Sequence, residues 1–245
     1  MVRTERYRSW ATTHLGVVRK HNEDAYVNRP EIGLWAVADG AGGHARGDLA
    51  SCMIAQALDG MPAGLEMTEA VADLRARITI AHDTLRATAE RAGPSTLIAS
   101  TVVILAARAG HFSCLWAGDS RAYRLRGGAL TRITRDHSLV QELVDSGTIT
   151  AAEAETHPRA NVITRAVGAD EPTLELDRTV GTIAPGDRFL LCSDGLSKIL
   201  SDEALGELLG GRAIANPSQL LVDAALAQQA RDNVTAVVVD VLPPA

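Results

Sequence analysis

The chain has 245 residues, 46% hydrophobic and 22% charged, the make-up of a globular protein with a sizeable core. Its 24 basic residues against 30 acidic ones leave a net charge of −6, which argues against a nucleic-acid surface. Cys52, Cys114 and Cys192 show no Cys-x-x-Cys spacing and sit in apolar surroundings, so free buried thiols are expected rather than a zinc ribbon or disulfide framework.

In chain order, the N-terminal Met-Val-Arg-Thr-Glu-Arg-Tyr-Arg is charged and lacks the apolar core of a signal peptide. Trp35–Ala38 reads as the first strand, and Thr68–Arg91 as a helix with Val71, Leu74, Ile78, Ala81 and Leu85 on one stripe. Thr101–Ala107, Phe112–Ala117, Ala122–Leu125 and Leu130–Ile133 follow as strands. The connections Arg108-Ala-Gly-His111 and Arg126-Gly-Gly-Ala129 are hairpin-like, which predicts an antiparallel meander. The apolar run Val102–Ala107 is far too short to span a bilayer, so a cytoplasmic protein without a membrane partner is expected.

Ser138-Leu-Val-Gln141 and Thr150-Ala-Ala-Glu153 both fit the capping box, predicting two short helices on either side of Gly147. That outline suggests a DNA-reading helix pair, but Glu142, Asp145, Glu153 and Glu155 make it acidic, and the reading fails. Arg188–Cys192 is a further strand. Asn216-Pro217 opens a helix to about Gln229, and Val234–Val241 is the last strand. The scarcity of lysine (only Lys20 and Lys198) is read as compositional bias. Hairpins plus separate helices, with no repeat or linker, predict a single α+β domain over residues 1–245.

Acids recur where apolar strands end. Asp39 follows Leu34-Trp-Ala-Val-Ala38, Asp119 follows Cys114-Leu-Trp-Ala-Gly118, and Asp194 follows Phe189-Leu-Leu-Cys-Ser193. Asp232 directly precedes the last strand, and Glu23-Asp24 forms an acidic knot near Arg19. One Asp-Gly or Asp-Ser after a strand is ordinarily a turn or a cap. Four together suggest converging carboxylates, whose repulsion needs cations or retained protons. Oxygen ligands without His or Cys favour Mg²⁺ or Mn²⁺. Two such ions about 3.5–4 Å apart can activate a water and orient a phosphoryl group for in-line attack.

In order along the chain stand Arg19-x-x-Asn22-Glu23-Asp24, Ala38-Asp39-Gly40-x-Gly42-Gly43-His44 and Ala117-Gly118-Asp119-Ser120-Arg121. Asp136-His137-Ser138, Asn161-Val-Ile-Thr-Arg165, Ser193-Asp194-Gly195 and Asp232-Asn233-Val234-Thr235 complete the series. From about Thr13 to Val241 the chain closely resembles the metal-dependent protein phosphatases of type 2C, in their compact bacterial form.

The resemblance implies two packed antiparallel sheets with helices on both outer faces, and removal of phosphate from phosphoserine or phosphothreonine in proteins. It implies that Asp39 bridges two metal ions, that the Gly40 carbonyl serves one of them, and that Asp194 and Asp232 hold the other. Asp119 would join the Asp194 position around a third, weaker ion. Glu23 and Asp24 would hold metal-bound waters, and Arg19 would bind the phosphate.

His44 is either a proton donor to the leaving oxygen or a holder of neighbouring groups. The helices from about Leu139 to Thr156 match the flap beside the site, within a subregion of about 138–165. Ala41, where relatives usually carry methionine, and Ala99-Ser100-Thr101, where Gly-Thr-Thr is usual, depart from the pattern without removing a ligand. The partners implied are phosphoproteins and an opposing Ser/Thr kinase, and a monomer is expected.

A binding module of the same fold without useful catalysis is the alternative, and the presence of Asp39, Asp194 and Asp232 weighs against it. A haloacid-dehalogenase-type phosphatase needs an Asp-x-Asp after an early strand, which Asp39-Gly-Ala does not supply. No Gly-Lys-Ser/Thr follows any glycine cluster, so a P-loop is excluded.

Overall fold

The computed structural model describes residues 7–41, 46–93, 96–211 and 215–243. In order along the chain these form β1 (Tyr7–His14), β2 (Asp24–Arg29), β3 (Leu34–Ala41), α1 (Gly47–Asp59), α2 (Met67–Ala92) and β4 (Ala99–Ser100). Next come β5 (Val102–Arg108), β6 (His111–Ala117), β7 (Arg121–Arg126), β8 (Ala129–Arg132), α3 (Leu139–Asp145) and α4 (Ala151–Glu155). The last are β9 (Asp177–Thr182), β10 (Arg188–Cys192), α5 (Asp194–Ser197), α6 (Asp202–Gly210), α7 (Pro217–Ala227) and β11 (Val234–Val241).

The strands make two antiparallel sheets, one ordered β1-β11-β10-β7-β8 and the other β2-β3-β5-β6-β9, with short β4 paired to β3. Trp35, Val37, Val103 and Leu105 from one sheet pack on Phe189, Leu191, Val237 and Val239 from the other. Alternate residues of the same strands point outward. Val234, Ala236 and Val238 meet α6 and α7 through Leu205, Leu209, Leu221 and Val222, while Ile104 and Leu115 meet α1 and α2. Strands covered on both faces are apolar where they are covered, which is why Val102–Ala107 of β5 and Ala236–Val239 of β11 read as unbroken hydrophobic runs. The result is the expected helix–sheet–sheet–helix sandwich.

The apolar stripe of α2 lies buried as its spacing requires. Both hairpins place their two central residues at positive φ, Ala109 and Gly110 at 50° and 83°, Gly127 and Gly128 at 58° and 86°. That geometry matches the strand twist.

Elements absent from the sequence reading are β1, β2, β4, β9, α1, α5 and α6. Two details also differ. Cys52 lies on the exposed side of α1, whose buried residues are Gly47, Ala50, Ser51, Ile54 and Leu58, whereas Cys114 and Cys192 are buried. Thr150 and Glu153 complete a reciprocal capping box. At Ser138, by contrast, only the serine caps Gln141, whose side chain instead donates to Asp145 at 2.8 Å. Among the described residues no helix is long and apolar enough to cross a membrane.

Candidate active site

Strand register brings the acids to one end of the sandwich. Antiparallel pairing sets Asp24 opposite Asp39, and Asp119 leaves β6 at that same end. In the other sheet, β10 exits into Asp194 and β11 is entered from Asp232. His14 pairs with Val234, so the loop carrying Arg19 and Glu23 also emerges there.

Hydroxyls and amides fix these groups. The Asp39 N–H donates to Thr101 Oγ1 at 3.2 Å, and its carbonyl accepts from Ser100 Oγ at 2.9 Å and the Thr101 N–H at 2.8 Å. Thr101 Oγ1 lies 2.7 Å from Ser120 Oγ, tying β3 to the Asp119 turn. That turn needs Gly118, whose φ is +108° and where an added Cβ would sit 2.5 Å from Thr101 Cγ2. Asp24 Oδ2 accepts from Ser193 Oγ at 2.8 Å and Thr235 Oγ1 at 2.6 Å, across the two sheets. Asn233 Nδ2 donates to the Leu15 and His21 carbonyls, both at 3.0 Å, and its Oδ1 accepts the Glu23 N–H at 2.8 Å. One amide thus holds the entire Arg19–Glu23 loop. The Gly40 N–H donates to the Glu23 carbonyl at 3.0 Å, and Gly40 packs on Gly47 too closely for any side chain.

The electrostatics reflect crowding. Burial, then the charges of Asp24, Asp194, Asp119 and Asp232, holds the Asp39 carboxyl well above the usual range. Burial pushes Asp24 up to about 7, against the hydrogen bonds from Thr235 and Ser193. Asp119 rises to about 6 through burial and Asp194, although Lys198 opposes this. Asp24 Oδ1 and Asp119 Oδ1 are buried without a hydrogen-bond partner.

Two cations already stand in the cluster. Arg19 donates to Asp232 at 2.7 Å, and Lys198 reaches Asp194 at 2.5 Å and Asp119 at 3.3 Å. Among the described residues no three Asp, Glu, His or Cys side chains form a ready-made cage for one ion. The donor chemistry nonetheless fits hard divalent cations: the set is all oxygen, mutually repelling, and includes unpartnered buried carboxylate atoms.

Of the residues singled out in the sequence, Arg19, Glu23, Asp24, Asp39, Gly40, Asp119, Asp194 and Asp232 all stand at this end, and His44 lies outside the described residues. Sequence reasoning gave no role to Thr101, Ser193, Asn233, Thr235 or Lys198. Hydroxyl residues set directly at the ends of buried apolar strands were the available signal for the first, second and fourth. A cavity of about 730 Å³ near Arg8, Gly128 and Pro185 lies at the other end of the sandwich. Its Arg188 and Asp240 pair with each other, and it holds none of these acids.

A two-sheet sandwich with carboxylates delivered from both sheets to one edge defines a class of protein built to hold cations there. Residues 12–231 match the family described as Protein phosphatase 2C, and the chain belongs to that family. The serine/threonine protein phosphatase PstP of Mycobacterium tuberculosis is 38% identical over 238 residues, covering 95% of this chain and 44% of PstP. The chain therefore spans about half the length of that curated relative. Among solved structures, PppA, described as a key regulatory component of T6SS in Pseudomonas aeruginosa, superposes with a TM-score of 0.88 at 47% identity, covering 96% of this chain and 98% of the other. The catalytic domain of PstP in complex with 2 manganese ions gives 0.82 at 37% identity, covering 97% and 99%.

Proposed function

We propose that this chain is a protein serine/threonine phosphatase that hydrolyses phosphoserine and phosphothreonine monoesters with two bound divalent cations. The whole of 1–245 would form one catalytic domain, with a flap at about 138–165. The observation that carries this reading is the crowding of acids from both sheets around Asp39, whose carboxyl they help to raise. The names of its relatives support it, as does the manganese-bound PstP domain.

Asp39 would be shared by the two ions, the Gly40 carbonyl would serve one of them, and Asp194 and Asp232 would hold the other. Bound divalent cations would supply Lewis-acid charge on a phosphoryl oxygen and lower the pKa of water toward neutrality. Ser193 and Thr235 fix one Asp24 oxygen and leave the other free to orient a water. Asn233 fixes the Glu23 backbone in the same way. Arg19 stands at the exposed rim, where its planar fork suits two phosphate oxygens. His44 is proposed as donor to the leaving oxygen or as a holder of neighbouring groups. Phosphoproteins and the Ser/Thr kinase that modifies them are the partners proposed.

The test is hydrolysis of p-nitrophenyl phosphate and of a phosphothreonine peptide, titrating Mn²⁺ or Mg²⁺ and then adding EDTA. Turnover should appear with metal, vanish with chelator, and fall by more than about 10³-fold in Asp39→Asn, a loss of about 4 kcal/mol. Absence of turnover from folded protein across the whole titration would overturn the assignment.

A further inference from the structure

Lys198 follows Asp194 by four residues, at the end of the short helix α5, so its side chain folds back over that carboxylate. Its ammonium meets Asp194 Oδ2 at 2.5 Å, Asp119 Oδ2 at 3.3 Å and Asn161 Oδ1 at 2.9 Å. Three N–H donors thus meet three oxygens, the full capacity of an ammonium. Two of those oxygens belong to carboxylates from different sheets, and the third belongs to the flap. Such an all-oxygen set is what a hard cation would use. The point between Asp119 and Asp194 is also where resemblance to the family places a third, weaker ion.

We propose that Lys198 is a built-in cation that takes the place of that third ion. The protein then binds two divalent cations, and the ammonium both neutralises the Asp119–Asp194 pair and ties Asn161 of the flap to it. A lysine suits this position better than the arginine that dominates this chain, since an ammonium is a compact point charge whereas a guanidinium is a broad planar fork. A divalent ion entering between the same carboxylates would meet the ammonium at contact distance and be repelled. The inference rests on the two-cation reading given above.

The test counts bound Mn²⁺ by equilibrium dialysis and by electron paramagnetic resonance of the free ion, in wild type, Lys198→Ala and Lys198→Gln. Wild type should saturate at two ions. Both variants should add a third, weaker site, at least about tenfold tighter than any third binding event in wild type. The double variant Lys198→Ala/Asp119→Asn should return to two. Lys198 is partly solvent-exposed, so the variants should fold, which circular dichroism checks; the glutamine variant keeps the chain length if alanine perturbs α5. Three ions in wild type, or two in both Lys198 variants, would overturn the proposal and leave the phosphatase reading standing. No bound Mn²⁺ in folded wild type would overturn both.

Discussion

Asp24 has one oxygen held by two hydroxyls and the other buried bare. Its carboxyl is pushed up to about 7 and that of Asp119 to about 6, against about 3.9 in an unfolded chain. Between those values the folded state binds more protons than the unfolded one, so this contribution to stability falls as pH rises through the folded values. His137, held low by burial, works in the opposite direction around its ordinary value. The raised carboxyls, Asp39 among them, outweigh one imidazole, since each tenfold change in proton affinity is worth about 1.4 kcal/mol. In EDTA the melting temperature should therefore drop by roughly 5 °C or more between about pH 5 and pH 8. Mn²⁺ should restore it, and Asp24→Asn should flatten the slope. A melting temperature that rises over this range would contradict the crowding. The acids themselves were legible in the sequence because four of them recur at the ends of apolar strands, where one alone would read as a turn or a cap. Asn233 was not, since its role exists only through backbone groups some 210 positions away in the chain.

Glycine separates the two ends of a strand pair. At the β7–β8 hairpin Gly128 has φ +86° and open space around it, so Gly128→Ala should cost about 1 kcal/mol of strain and leave turnover unchanged. At the β6 exit Gly118 combines positive φ with a clash against Thr101, so Gly118→Ala should cost more than about 2 kcal/mol and displace Asp119. Urea melts alongside phosphatase assays distinguish the pair, and equal losses of activity would refute the distinction. The sequence revealed the elements with strong periodicity or unbroken apolar runs. It concealed β9, an exposed edge strand, and α1, which starts at Gly47 with no side-chain cap. The short α5 merged with its own carboxylate motif.

At the scale of the molecule, the two sheets are joined in two ways. Edge-to-face rings bridge the dry layer, Phe112 with Phe189 at 5.3 Å and Tyr7 with Trp35 at 5.1 Å. The acid cluster joins the sheets at one edge. Phe112→Ala or Phe189→Ala should each cost about 3–5 kcal/mol, with a coupling of about 1 kcal/mol in the double-mutant cycle. Strict additivity in chemical denaturation would mean that the rings do not act together. The β1–β11 pairing carries a different consequence. Tyr7 lies opposite Val241, while His14 lies opposite Val234 beside the acids. The two described ends of the chain therefore leave side by side from the end of the sandwich opposite the acids. A tether, sensor or fluorescent tag fused at either end would hold the molecule by its base and leave the acid cluster facing outward. A short linker joining those ends would permit new termini to be cut elsewhere in the surface loops.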